Sequence, residues 1–277
     1  MALNPFLNPR GKLRNGWWIA LFFVILTALL LPLILMSRAS ETGVPLWQQA
    51  AIVLAASLVC QALRRGPIAE LLGAFDWKWS SQLALGLVAG AALMAIPAAF
   101  LAAGGWVTWR ANPGWIDAIG ATLVMLAAAA AAEELLFRGF LFQRLIDGLG
   151  AWPAQLLIAA LFTLTHSDAL AELGPLAYLA GANIFVASIL FGLAYLRTRS
   201  LALPLGLHFA ANVVQGPFLG FGVSGADAPG LLTPTLHAPT WLTGGAFGLE
   251  ASVPGFVCVV AASATLWLWR PSRAHQT

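Results

Sequence analysis

The chain reads as an all-α, polytopic transmembrane helix bundle, and three observations predict it. Hydrophobic residues make up 60% of the 277 positions and charged ones 9%, whereas an average soluble domain carries about 25% charge. Apolar runs close to or above the roughly 20 residues that span a hydrocarbon core recur along the whole length. Lys and Arg collect in alternate connections, as the positive-inside bias asks of cytoplasmic loops.

About eight spans follow from the apolar runs. The first, 17–36, comes after Arg10, Lys12 and Arg14 and so has the flank of a signal peptide. Its run is too long for a signal h-region and no small-x-small cleavage site follows, so it is expected to be retained. The second covers 46–63 and the third 82–103. The fourth runs from 115 to about 145 and carries two acids in its interior. A shorter fifth, 152–166, is followed by a sixth at 175–196, a seventh at 201–221 and an eighth at 246–269. This divides the chain into a tail (1–16), three N-terminal helices with their loops (17–114), a four-helix core (115–221), and an outer loop, last helix and tail (222–277).

An even number of crossings puts both ends on one side. Arg10, Lys12, Arg14, Arg64, Arg65, Lys78, Arg144, Arg197, Arg199, Arg270 and Arg273 all fall on that side, while Arg38, Arg110, Asp168, Glu172 and Asp227 fall opposite. Cytoplasmic termini are therefore expected. These anchors also account for the net charge of +3, so no basic patch is left over for nucleic acid. Trp17, Trp18, Trp47, Trp106, Trp109, Trp115, Trp152, Trp241, Trp267 and Trp269 sit at or near span ends, where an indole suits the headgroup layer. Cys60 and Cys258 lie inside spans without CxxC spacing, which argues for packing rather than metal or disulfide.

Chemistry is sought first at the buried charges, because a charge at mid-bilayer costs roughly 3 kcal/mol even on insertion scales. Glu133 and Glu134 interrupt the fourth span, and Arg138 follows. Glu134 and Arg138 are four apart and share a helix face, so they can pair. Glu133 points about 100° away from Glu134, which frees one acid to face a cavity. Ala127 to Ala132 ahead of the acids allow close helix approach. Phe162 and His166 stand one turn apart at the end of the fifth span, and His208 and Asn212 stand one turn apart in the seventh. His237 and His275 fall outside the spans and read as solvated. Counting about 1.5 Å per residue from the cytoplasmic ends puts Glu133 and His166 about 20 Å deep and His208 about 10 Å. That depth implies a cavity open toward the cytoplasm. Gly181, Gly192, Gly206, Gly216 and Pro204 are expected to loosen the helices around it.

A carboxylate, two imidazoles and an amide in one cavity suit water-dependent acyl transfer: a base, a partner for the water, and donors for an oxyanion. The same side chains could instead ligate one divalent metal such as zinc and lower the pKa of its water. The sequence leaves both modes open. It also leaves open a transporter, in which buried Glu, His and Asn would line an ion path, and a scaffold or immunity protein that cuts nothing.

EELLFR from Glu133, FTLTH from Phe162 and HFAAN from His208 together resemble the EExxxR, FxxxH and HxxxN motifs of the CAAX protease and bacteriocin-processing family. Its members are intramembrane endopeptidases of the type II CAAX prenyl protease kind. The resemblance covers about 115–221. It implies Glu133 as the principal catalytic acid activating water with His166, Glu134 and Arg138 steadying the site with Phe162, and His208 and Asn212 holding the oxyanion or a metal. If a metal is used, Glu133, His166 and His208 are its expected ligands. The implied partners are a membrane-associated peptide or protein substrate, prenylated or of leader type, and the lipid bilayer. The implied location is the bacterial inner membrane. Other intramembrane protease signatures fit less well: HExxH is absent, and GVSG at Gly222–Gly225, like the GxSG of rhomboids, lies in a Gly/Pro-rich loop rather than at a helix start.

Overall fold

In a computed structural model the described residues are 4–39, 43–227 and 230–269. Arg270, Arg273 and His275 lie outside them. The architecture is a helix bundle, as expected. Its helices are α1 (Asn15–Ala39), α2 (Leu46–Leu63), α3 (Ala69–Leu72), α4 (Trp77–Ala103), α5 (Ile116–Arg138) and α6 (Phe140–Leu149). They continue with α7 (Ala151–Leu164), α8 (Ser167–Ala171), α9 (Ala177–Thr198), α10 (Ala202–Val213), α11 (Thr240–Thr243) and α12 (Val253–Leu268).

Five segments are long and apolar enough to cross a membrane: Asn15–Arg38, Leu46–Leu63, Ala69–Ala103, Pro113–Leu149 and Gly174–Thr198. Three of the expected spans are shorter as helices, α7 with 14 residues, α10 with 12 and α12 with 16. The shortening has local causes. His166 ends the fifth run outside α7, in the link to α8. Beyond Val213 the seventh run becomes a π-helical turn, Val214–Phe218, that contains Pro217. The eighth begins as 3-10 turns around Gly245 and Leu249 before α12 starts at Val253, capped by Ser252, whose hydroxyl accepts from Gly255 N at 3.0 Å.

The fourth span is broken rather than continuous. Gly139 leaves helical geometry with ψ at −133°, and α6 sets off from it. A Cβ there would lie 2.2 Å from the Leu135 carbonyl oxygen, so no side chain can occupy the bend. The loop after α10 also holds a strand the helical reading did not anticipate. β1 (Val107–Ala111) pairs antiparallel with β2 (Leu232–Leu236), Val107 opposite Leu236. Trp109 donates its indole N–H to Leu219 O at 2.9 Å, tying this sheet to the end of α10 rather than serving as a lipid anchor.

The tightest packing is between α4 and α10, which run parallel. Cβ atoms at Gly86 and Gly90 would come within 2.4 Å of Leu203 O and 2.1 Å of Leu207 O, and one at Gly206 within 2.4 Å of Leu83 O. Small residues four apart let two backbones touch in this way. Gly206 is therefore a packing site, and so is Gly192, whose missing Cβ is replaced by the Gln155 amide. Both correct the expectation of loosening. We expect Gly90→Ala to push α10 away from α4 and to destabilise the protein by ~1–3 kcal/mol, the usual cost of overpacking. Thermal unfolding in detergent measures it.

The depth of His208 is also corrected. α10 starts beside the end of α3, with Leu201 N donating to Leu72 O at 3.2 Å, yet His208 Nδ1 lies 2.9 Å from Glu134 Oε1, so His208 stands at the level of the acids rather than well short of them.

Candidate active site

Arg138 anchors the site. It is fully buried among the rings of Phe162 and Phe191, whose centroids lie 5.0 and 5.3 Å from its guanidinium carbon. Nη2 donates to Ser188 O at 2.9 Å and Ser188 Oγ at 2.8 Å, and Nη1 lies 3.4 Å from Glu134 Oε1. The i, i+4 pair expected from sequence is thus formed, and Ser188 of α9 shares the cation.

Glu134 is equally buried, and the same Oε1 accepts a hydrogen bond from His208 Nδ1 at 2.9 Å. That contact fixes the imidazole tautomer, because a carboxylate oxygen can only accept: Nδ1 carries a proton. Phe191 stacks on the ring at 4.7 Å with a 10° interplanar angle, holding its orientation. The ring's other nitrogen, Nε2, points to Glu133 Oε2 at 3.8 Å. Glu133 and Glu134 thus diverge as their helical offset predicts. One is sealed against Arg138 and His208, and the other is half-exposed.

His166 follows the end of α7. Its Nδ1 donates to the Phe162 carbonyl at 2.8 Å, which again settles the tautomer and leaves Nε2 with a free lone pair. Phe162 thereby supports the site twice, through its carbonyl to His166 and through its ring, 4.9 Å from the imidazole and edge-on to Phe137. Asn212 is buried on α10, and among the described residues its amide has no hydrogen-bond partner.

Glu133, His166, His208 and Asn212 line one cavity of about 340 Å³ whose other walls are mainly apolar, including Leu93, Met94, Leu126 and Phe191. Glu133 and His166 also border a smaller cavity of about 220 Å³ against α2, beside Gln49 and Val53. At its mouth the larger cavity is bordered by Leu46, Val223, Ser224 and the exposed Asp227, which belong to the start of α2 and the loop after α10. That is the opposite end of the bundle from the one where Arg14–Trp17 meet Arg144–Leu149. The expected opening toward the side of the N-terminal segment is therefore corrected.

Among the described residues, no three His, Cys, Asp or Glu side chains are placed to hold one metal ion. The rhomboid-like Ser and His do not pair either: Ser224 Oγ donates to Glu250 at 2.8 Å, and His237 Nε2 is 2.8 Å from Thr108 Oγ1 on β1.

Residues 114–214 match the family model of type II CAAX prenyl endopeptidase Rce1-like proteins. The matched stretch contains every residue of the three motifs, from Glu133 to Asn212. The matched model is that of a protease family, and the five helices long and apolar enough to cross a bilayer indicate an integral membrane protein. No curated protein matches the chain.

Several contributors to the site were missed by sequence reasoning. Ser188 and Phe191 act from α9, where nothing in their local spacing marks them. Asn183 on the same helix and Glu250 before α12 also line the cavity. Glu250 carried a usable signal, an acid in an apolar segment, the same signal that drew attention to Glu133.

Proposed function

We propose that the protein is an intramembrane endopeptidase of glutamate type that hydrolyses a peptide bond in a membrane-associated substrate, prenylated or of leader type. The observation that carries this reading is the meeting of Glu133 from α5, His166 from the α7–α8 link, and His208 and Asn212 from α10 on one apolar-walled cavity. A transporter would spread its polar groups along a path. Here they are gathered.

In this reading a water sits between the Glu133 carboxylate and the free Nε2 of His166. Glu133 takes one proton, His166 accepts a hydrogen bond from the other, and the water oxygen attacks the carbonyl carbon. The carbonyl oxygen becomes an oxyanion and is held by Asn212 Nδ2. It is also held by His208 Nε2 when that ring carries both protons, with Nδ1 on Glu134. The C–N bond then breaks as Glu133 returns the proton to the departing amine. The two cavities that meet at Glu133 and His166 suit a division of supply, with peptide in the larger and water in the smaller.

The scheme routes no step through a metal. We expect a strong chelator to leave cleavage by the purified protein within about twofold of the untreated rate, where a metal-bound water would lose activity outright. A panel of prenylated CAAX and leader-type peptides, assayed in liposomes with and without chelator, tests both reading and mechanism. Chelation that abolishes cleavage, with restoration by zinc, would overturn the glutamate-type assignment.

A further inference from the structure

The cavity has a second polar face that the three motifs do not supply. Glu250 stands in the 3-10 turn Leu249–Ala251 directly before α12. Its Oε2 accepts from Ser224 N at 3.0 Å and Ser224 Oγ at 2.8 Å. It lines the same cavity as His166 and His208. Asn183, 2% exposed on α9, donates Nδ2 to the Glu250 carbonyl, and its Oδ1 is left buried without a partner. Asp227 lies at the exposed mouth of the same cavity.

These groups have one chemistry in common. With Ser224 already donating to Glu250, the remaining polar capacity of this face is acceptors: the carboxylate, the Asn183 Oδ1 and Asp227. Among the described residues, those that line the cavity include three acids, Glu133, Asp227 and Glu250, and no Lys or Arg. Buried acceptors without donors are costly, and the group that meets several at once is an ammonium or guanidinium with its fan of N–H donors.

We propose that Glu250 and Asn183 form a subsite for a Lys or Arg side chain of the substrate, close to the bond that is cut. The assignment rests on the protease reading for what the substrate is, but not for whether the subsite binds. Glu250 is thereby a specificity-determining residue, with Ser224 fixing its carboxylate.

The test is binding of a labelled peptide series to the uncleaving Glu133→Gln protein in nanodiscs, the peptides differing only in Lys, norleucine or Glu at each position flanking the scissile bond. At one position the Lys peptide is expected to bind about tenfold tighter than its norleucine twin, the worth of one hydrogen bond to a charged group. Adding Glu250→Gln, which keeps an acceptor for Ser224, should bring the two near parity. Adding Glu250→Lys should make the Glu peptide the tighter one. Equal binding of Lys and norleucine peptides at every position, or a Lys preference that survives Glu250→Gln, would overturn the subsite. Cleavage by the wild-type protein is read in parallel. A Lys preference in binding without any cleavage would count against the protease reading alone, and cleavage without a Lys preference against the subsite alone.

Discussion

Replacing Arg138 by Met is expected to destabilise the protein by ~3–5 kcal/mol, the cost of leaving one partner of a buried ion pair alone. The magnitude follows from what the guanidinium does. It is fully buried, donates twice to Ser188, balances Glu134, and fills the space between the Phe162 and Phe191 rings. Met can fill most of the volume but leaves the Glu134 carboxylate facing only His208. Removing the stranded charge as well should recover much of the loss, so Arg138→Met with Glu134→Gln is expected to be more stable than Arg138→Met alone. Thermal unfolding in detergent across the two single variants and the double variant gives the coupling directly. A single variant within about 0.5 kcal/mol of wild type, the range of an ordinary surface change, would show that the cation is not the anchor described.

The pairing of Glu134 with Arg138 was legible because a helix makes residues four apart neighbours, and the same rule made Phe162 with His166 and His208 with Asn212 visible. The rule has no reach between helices. Phe191 stacks on His208 and Ser188 holds Arg138 from α9, and neither could be read from spacing. The depth of His208 failed for a related reason. Counting residues measures each helix from its own end, whereas the packing of the bundle brings His208 within 2.9 Å of Glu134 despite its shorter count. The long spans were legible from their apolar runs alone. The break at Gly139 was not, because apolar residues continue straight through it into α6. The small sheet was hidden because each strand has five residues and half of the pairing comes from a loop more than a hundred residues away.

The second large effect is expected at Glu133. Glu133→Gln keeps the size and an acceptor oxygen but cannot take a proton from water, so cleavage should fall by about 10²–10⁴, the usual contribution of a positioned general base. Stability should change little, because Glu133 is half-exposed to the cavity and its nearest charged contact is His208 at 3.8 Å. The contrast with Arg138 separates the two roles: one variant keeps the fold and loses the reaction, and the other loses the fold itself.

Cleavage of a reporter peptide by wild type and Glu133→Gln in liposomes prepared in ¹⁸O-water, with products read by mass spectrometry, tests the central claim most directly. The account predicts that wild type releases two fragments with one ¹⁸O in the new carboxyl group, and that Glu133→Gln, folded to the same melting temperature, is slower by at least about 10². Equal rates from the two proteins would remove Glu133 from the mechanism and contradict the site described.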